Sequence, residues 1–390
     1  MQIKSRQLRW AVPAAGVAAV AAVAAASLVT RASAAPQLPP TTPGRLLAAV
    51  AGPAAPLPPL TGTVVETASL GLPQLPGVDN QNSITSLVTG SHTVKVWYGG
   101  PRQVRLSVPV PMGETDVIRN GPVAYLWQSS SNTVSEFRLP AGQPRREAVP
   151  VPKASPITPQ QAAQRVLAVA GRSTRVSVQS NVSVAGQAAY QLVLVPKDSR
   201  SLVGRVSIAL DGQHPQVPLR VQVFARGARS PAFQVGYTSI SFVRPAAANF
   251  RFTPPSGARV RTVTPRTHGG MNGAAPQSPF GPNGGQVMGK DWLSVAVLPS
   301  SVLSGLTGSG NAASVAGQAA QSASGGGGSG PSAPAVAAAL LKSATPVRGS
   351  WGSGKLLRTS LISVLITGNG HVLAGPVTPA VLYADAAHLK

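Results

Sequence analysis

The chain has 390 residues, of which 43% are hydrophobic and 11% charged, and it contains no cysteine. This composition excludes disulfides, thiol catalysis and cysteine-based metal sites, and it provides material for one domain of about 200 residues and a smaller one. The formal net charge of +23 comes from 33 basic residues against only 10 acidic ones. Because the arginines are dispersed singly, this charge favours an anionic membrane or cell-wall surface as a partner and argues against nucleic acid.

Residues 1–34 have the pattern of an export signal. A basic stretch from Lys4 to Arg9 precedes an apolar run from Trp10 to Val29, and the small residues Ala32-Ser33-Ala34 follow. The pattern predicts a signal peptide cleaved after residue 34. An uncleaved membrane anchor is the alternative, because about 20 apolar residues span a bilayer. Both interpretations place the remaining chain at the extracytoplasmic face of the membrane or outside the cell.

Residues 35–60 form a proline-rich lead with one short predicted helix, Pro43 to Val50, whose leucines and valine share one side. Strands then follow in pairs separated by turns rich in glycine, proline and asparagine. In the first strand, Val64 and Glu66 fall on one face. The predicted strands of this half of the domain are Thr61–Thr67, Val94–Tyr98, Val104–Val108, Thr115–Arg119, Val123–Trp127 and Thr133–Leu139.

A loop with three leucines follows the first strand. Leu70, Leu72 and Leu75 lie on a segment stiffened by proline. Such leucines either tuck under the domain or form a mobile apolar lip for a ligand or a membrane.

One helix interrupts the series of strands. Thr158 is a suitable N-cap, Pro159 suits the first helical position, and Gly171 ends the apolar periodicity. Further strands are predicted over Val176–Val184 and Ala188–Pro196, and a meander of three strands over Ser201–Phe242. Two short extended segments, Phe250–Pro255 and Ala258–Val263, complete a β domain that spans residues 61–266.

Residues 267–285 are a linker rich in glycine, proline and asparagine, and residues 286–390 are predicted to form a small α+β module. A Gly/Ser-rich insertion, 305–334, divides this module. We predict one strand over Gln286–Leu298, another over Lys355–Thr367, and a final helix from Thr378. The two strands are expected to pair across the insertion.

The sequence predicts no catalytic, cofactor or metal site. The segment GSWGSGK, Gly349–Lys355, has the spacing of a phosphate-binding loop, but Leu356 stands where a magnesium-binding hydroxyl should be and a β-type run follows. The five histidines are dispersed without metal-ligand spacing. Glu114 and Asp116 share a face of one strand, and we interpret them as a solvated pair near a turn. These features predict a protein that is not an enzyme.

Five successive segments carry a family resemblance: VAGQAAYQLVLVPKD, SLVGRVSIALD, VPLRVQVFARG, PAFQVGYTSISF and FRFTPPSGARV. In this order they resemble the LolA-like lipoprotein carriers and the amino-terminal domain of RseB, in particular the exported relatives of actinobacteria. The resemblance covers Leu60 to Pro265. It implies an unclosed antiparallel β-barrel, a half-barrel covered by short helices, whose apolar face holds acyl chains. The predicted fold is therefore mainly β with flanking helices, followed by the α+β module.

Strand alternation defines the candidate ligand-binding face. Two interpretations remain open, an ordinary packed core beneath the helices and the wall of a ligand site. The apolar residues assigned to this face are Val94, Val96, Tyr98, Val104, Leu106, Val108, Leu219, Val221, Val223, Phe233, Val235 and Tyr237.

The leading hypothesis is an exported protein, without enzymatic activity, that binds the acyl chains of a lipid or lipoprotein. The first alternative is an RseB-like sensor that binds a membrane partner such as an anti-sigma factor. The second is a cationic structural protein of the cell wall. No cofactor is predicted for any of the three.

Overall fold

The structure is a computed structural model, and it describes residues 38–51, 56–71, 90–110, 112–138, 156–263, 285–299 and 342–389. The predicted signal or anchor, residues 1–34, and the insertion, 305–334, lie outside these ranges. In the described ranges no helix combines the length and apolarity needed to cross a membrane.

The described residues form three α-helices and eighteen strands. The helices are α1 (Pro43–Ala51), α2 (Pro159–Val169) and α3 (Pro379–Ala387). The strands of the first sheet are β1 (Leu60–Ala68), β2 (Ser91–Gly100), β3 (Gln103–Val110), β4 (Gly113–Asn120), β5 (Val123–Gln128), β6 (Thr133–Arg138), β7 (Thr174–Val184), β8 (Gln187–Pro196), β9 (Val203–Asp211), β10 (Pro218–Ala225), β11 (Phe233–Ser241) and β12 (Arg259–Val263). Those of the second sheet are β13 (Gln286–Met288), β14 (Val295–Pro299), β15 (Thr345–Gly349), β16 (Gly352–Arg358), β17 (Ser363–Thr367) and β18 (His371–Gly375).

The first sheet has twelve strands in the order β12-β6-β5-β4-β3-β2-β1-β11-β10-β9-β8-β7. Its two end strands, β12 and β7, do not pair with each other, so the sheet is unclosed. The predicted fold class, a large unclosed β-sheet with flanking helices, is confirmed. One pair departs from the antiparallel pattern, because β12 runs parallel to β6.

The parallel pair follows from the path of residues 242–258, which cross one face of the sheet before β12 begins. Phe250 on this crossing is 1% exposed. The ring of Phe252 lies 5.2 Å from that of Tyr125 and 6.3 Å from that of Trp127. We call this side of the sheet the outer face.

Helices α1 and α2 pack on the opposite side, which we call the inner face. Leu46 and Val50 of α1 and Ala162 and Ala163 of α2 are buried in the same core as Val221 of the sheet. The N-terminus of α2 is closed by a capping box, in which Thr158 Oγ1 accepts a hydrogen bond from the Gln161 amide and the Gln161 side chain accepts one from the Thr158 amide. Both helices were predicted from the sequence.

The second sheet has the order β13-β14-β18-β17-β16-β15, and α3 packs on it. Two strand predictions need correction here. A turn of 3₁₀ helix, Asp291–Leu293, divides the segment expected to be one strand over 286–298. The segment 355–367 is likewise two strands, β16 and β17, and β14 pairs with β18 instead of with either of them. The glycine-rich segment 349–355 contains the turn of the β15–β16 hairpin and the first residues of β16. It is therefore followed by a strand, whereas a phosphate-binding loop leads into the N-terminus of a helix.

The predicted boundary between the two domains stays a proposal, and direct contacts join the two sheets across it. The Leu202 amide donates to the Pro376 carbonyl, and the Thr378 amide donates to the Arg200 carbonyl, both at 2.8 Å. Trp292, which follows β13, is buried in the core of the first sheet, where its indole Nε1 donates to Thr174 Oγ1 at 2.7 Å.

Candidate functional site

The residues assigned to the binding face come from two separated parts of the sequence, and strand pairing brings them to one face. In the β2–β3 hairpin, Val96 lies opposite Leu106. In the β10–β11 pair, Val221 lies opposite Val235. Strand β1 connects the two groups, because Val64 lies opposite Val94 of β2 on one side and opposite Tyr237 of β11 on the other.

The assigned residues divide into two classes by burial. Val94, Val96, Leu219, Val221 and Val235 are core residues, and the last three are completely buried. The others are partly buried and include Tyr98, Val104, Leu106, Val108, Val223, Phe233 and Tyr237. The first class therefore lies in a packed core, while the second class is only partly buried and, except for Val104, packs against the edge of that core.

A row of facing residues crosses the inner face from β2 to β12 and is apolar as far as β5. It starts at Val96 and continues through the facing residues Leu106, Val117, Leu126 and Ser135 of β3 to β6. It ends at Arg261 of β12, which faces Ser135. Val117 and Leu126 were not assigned to the site from the sequence. Alternation shows which residues share a face within one strand, but not which face of the sheet that is. Only the pairing register shows that this face is the one that carries Leu106.

A buried carboxylate lies on the inner face at the end of β1. Glu66 is 4% exposed, faces Val235 and His92 across neighbouring strands, and accepts a hydrogen bond from the Ile157 amide at 2.8 Å. Burial raises the pKa of Glu66, and the hydrogen bond from Ile157 and the nearby charges of His92 and Arg165 act in the opposite direction. The sequence could have indicated this buried carboxylate, because Glu66 falls on the same face of its strand as the core residue Val64. The carboxylate holds the segment that leads into α2.

Two tyrosines add hydroxyl groups to the apolar face. Burial raises the pKa of Tyr237 to about 12 and also raises that of Tyr98, so both hydroxyls stay neutral. The ring of Tyr237 lies against Gly62, where an added Cβ would come within 2.7 Å of ring carbon Cδ1. Gly62 therefore gives the ring its space.

Of the three leucines predicted to form a lip, the structure describes one. Leu70 is buried in the core of the first sheet, and its carbonyl accepts a hydrogen bond from the Ser360 amide of the second sheet at 2.8 Å. Leu72 and Leu75 lie outside the described residues. The assignment of this segment as a lip stays a prediction.

The outer face of the same strands carries charged and aromatic side chains. Asp116 is completely buried and forms an ion pair with Arg105, whose guanidinium lies 5.5 Å from the centre of the Trp97 ring. The interpretation of Glu114 and Asp116 as a solvated pair is therefore wrong for Asp116. Asp116 lies opposite Trp127, whose ring contacts Phe252 of the crossing segment, so this part of the strand is covered instead of solvated.

Open depressions lie on the described surface of the first sheet, and two of them have a defined lining. One of about 710 Å³ lies at the β7 edge and is lined by Leu38 and residues 178–181. The other, of about 290 Å³, lies over β1 between Trp97, Lys95 and Ser239. Neither coincides with the half-buried residues of β3.

Comparisons with known proteins return solved structures of low similarity. The MucA/MucB complex of Pseudomonas aeruginosa is similar with a TM-score of 0.34 and 14% identity, over 84% of this chain and 91% of that one. A LolA superfamily protein from Nitrosomonas europaea gives 0.22 and 12%, over 55% and 99%. An uncharacterized conserved protein from Thermus thermophilus gives 0.28 and 11%, over 53% and 91%.

No protein-family model matches the sequence, and no curated protein matches it. The LolA superfamily is also the family that the five segments quoted in the sequence analysis resemble. Likeness at this level identifies neither a ligand nor a partner for this chain.

Proposed function

We propose that the protein is an exported binding protein, without enzymatic activity, that holds the acyl chains of a lipid or lipoprotein on the inner face of its first sheet. The observation that carries the proposal is the continuity of this face. Its apolar residues run from the completely buried Val221 and Val235 to the half-buried Tyr98, Val104 and Leu106. An acyl chain lying on the half-buried part would bury apolar surface at about 25 cal/mol per Å².

The charge of the chain supports a location at an anionic surface. With 33 basic and 10 acidic residues, the protein is attracted to anionic lipids or cell-wall polymers, while the predicted signal or anchor directs it out of the cytoplasm.

Uptake of a fluorescent fatty acid by the full chain tests the proposal. We expect the wild-type protein to bind the probe and Leu106→Trp to bind it at least about tenfold more weakly, because the larger ring fills the half-buried surface. Val193→Trp is the matched control, since Val193 is also partly buried but faces away from Leu192 on β8. Absence of uptake by the wild type, or equal loss in both variants, would contradict the proposal.

Native mass spectrometry after gentle purification separates the remaining hypotheses. A lipid that copurifies with the chain supports acyl-chain binding. A membrane protein in stoichiometric amount would favour the sensor that binds a membrane partner. Binding to an anionic polymer that disappears with added salt would favour the structural role at the cell wall.

A further inference from the structure

The twelve-stranded sheet ends in an exposed strand at β12. All five of its residues, Arg259 to Val263, are exposed, and Val260 and Val263 keep 49% and 41% of their surface. The strand pairs with β6 without a register shift, and no described strand lies beyond it. A straight edge strand with exposed valines is a template for pairing with another extended segment.

The hydrogen bonds of β12 show which of its backbone groups have no partner among the described residues. The Arg259 amide donates to the Asn132 carbonyl at 2.9 Å, so the backbone groups of Arg259 point toward β6. Because backbone groups alternate along a strand, those of Val260 and Thr262 point away from β6, to the side where no described strand lies. The edge therefore presents two N–H groups and two carbonyls at the spacing of a β-ladder.

The opposite edge of the same sheet lacks these features. Strand β7 has a register shift between Gln179 and Val182, and its exposed residues, such as Arg175 and Ser177, are polar. The register shift interrupts the ladder of β7, and none of the exposed residues of β7 is apolar, whereas β12 is regular and exposes two valines. Of the two edges, β12 is the one suited to binding an added strand.

The charge of β12 selects the chemistry of the added strand. Arg259 and Arg261 face Thr133 and Ser135 of β6 and therefore share the inner face. A second copy pairing through β12 would place arginines against arginines, which is destabilising. The chain's own residues 264–284, which follow β12, contain an arginine and no acidic residue.

We propose that β12 is a docking edge for an extended acidic segment of another protein, which adds a thirteenth strand to the sheet. Acidic side chains at alternate positions of that segment lie opposite Arg259 and Arg261, and its backbone pairs with Val260 and Thr262. This interaction is separate from the binding of acyl chains, which uses the middle of the inner face.

Fluorescence anisotropy with the full chain tests the proposal. The probe is a labelled peptide of about ten residues in which glutamate alternates with valine and threonine. We expect it to bind, and we expect Arg259→Glu combined with Arg261→Glu to weaken binding by about tenfold or more. Thr262→Pro, which removes an outward N–H group, should weaken it similarly. Arg175→Glu on β7 is the matched control and should leave the affinity unchanged.

A second peptide with the same sequence, N-methylated at alternate residues, separates strand pairing from simple charge attraction. It keeps every carboxylate but cannot form the ladder, so the wild-type protein should not bind it. Equal binding of the two peptides would overturn the proposal, and so would an equal effect of Arg175→Glu. Both peptide measurements use the wild-type chain, so their outcome is independent of whether a variant folds and of fatty-acid uptake.

Discussion

The two halves of the inner face have the same alternating pattern but different surroundings. Over β8 to β10, beneath α1 and α2, residues such as Leu192, Ile208 and Val221 are completely buried. On β3, Val104 and Leu106 alternate just as regularly, yet they stay partly buried. The difference shows that alternation determines which face is apolar, while the packing of distant elements determines whether that face is completely or only partly buried.

The largest expected effect comes from truncating one leucine in each half. Leu219→Ala removes a completely buried side chain and should lower the free energy of unfolding by about 2–5 kcal/mol. Leu106→Ala, the matched change on the half-buried side, should cost clearly less, because its atoms already lack some packing partners. Urea unfolding of both variants provides the measurement. Equal losses would mean that β3 is core as well and that the inner face has no ligand-accessible part.

The close packing of Tyr237 on β1 gives the second prediction. Gly62→Ala places a Cβ within 2.6 Å of the Ser239 carbonyl oxygen. The variant should therefore lose about 1–3 kcal/mol of unfolding free energy. Gly44→Ala in α1 is the control, since nothing lies within 4 Å of the added atom. The Gly44→Ala variant should be more stable than the wild type by about 0.5–1 kcal/mol, because alanine has a higher helix propensity than glycine. A harmless Gly62→Ala in the same unfolding assay would show that the Tyr237 ring is free to move.

The third prediction concerns Trp292, which lies in the 3₁₀ turn between β13 and β14 and enters the core of the first sheet. Thr174→Val removes the acceptor of the indole N–H and should cost about 1–3 kcal/mol, because the donor is left buried and unpaired. Adding Trp292→Phe removes that donor, so the double variant should lose less than the sum of the two single changes. Thermal unfolding of the four proteins gives this coupling, and strict additivity would show that the hydrogen bond does not join the sheets.

The smallest effect is the pH dependence from Glu66. Its pKa is raised in the folded state, so its favourable contribution is complete below the ordinary glutamate pKa of about 4.3 and is lost as the pH rises through the folded pKa. Glu66→Gln keeps an acceptor for the Ile157 amide but does not ionise. The stability of the wild type relative to this variant should therefore fall as the pH rises. A constant difference between about pH 4 and pH 8 would contradict the burial of the carboxylate.

Several parts of this protein are determined by local sequence alone. The period-two pattern of residues 201–242 predicts the meander, and Thr158 with Pro159 predicts the start of α2. These predictions are accurate because a strand or a capped helix depends on neighbours within a few residues.

Only the tertiary structure decided how these elements combine. It placed Val64 between Val94 and Tyr237, turned β12 parallel to β6, and buried Trp292 in the core of the other sheet. Each of these contacts joins residues far apart in the chain, and their register and burial follow from the packing of whole elements, which local periodicity does not encode.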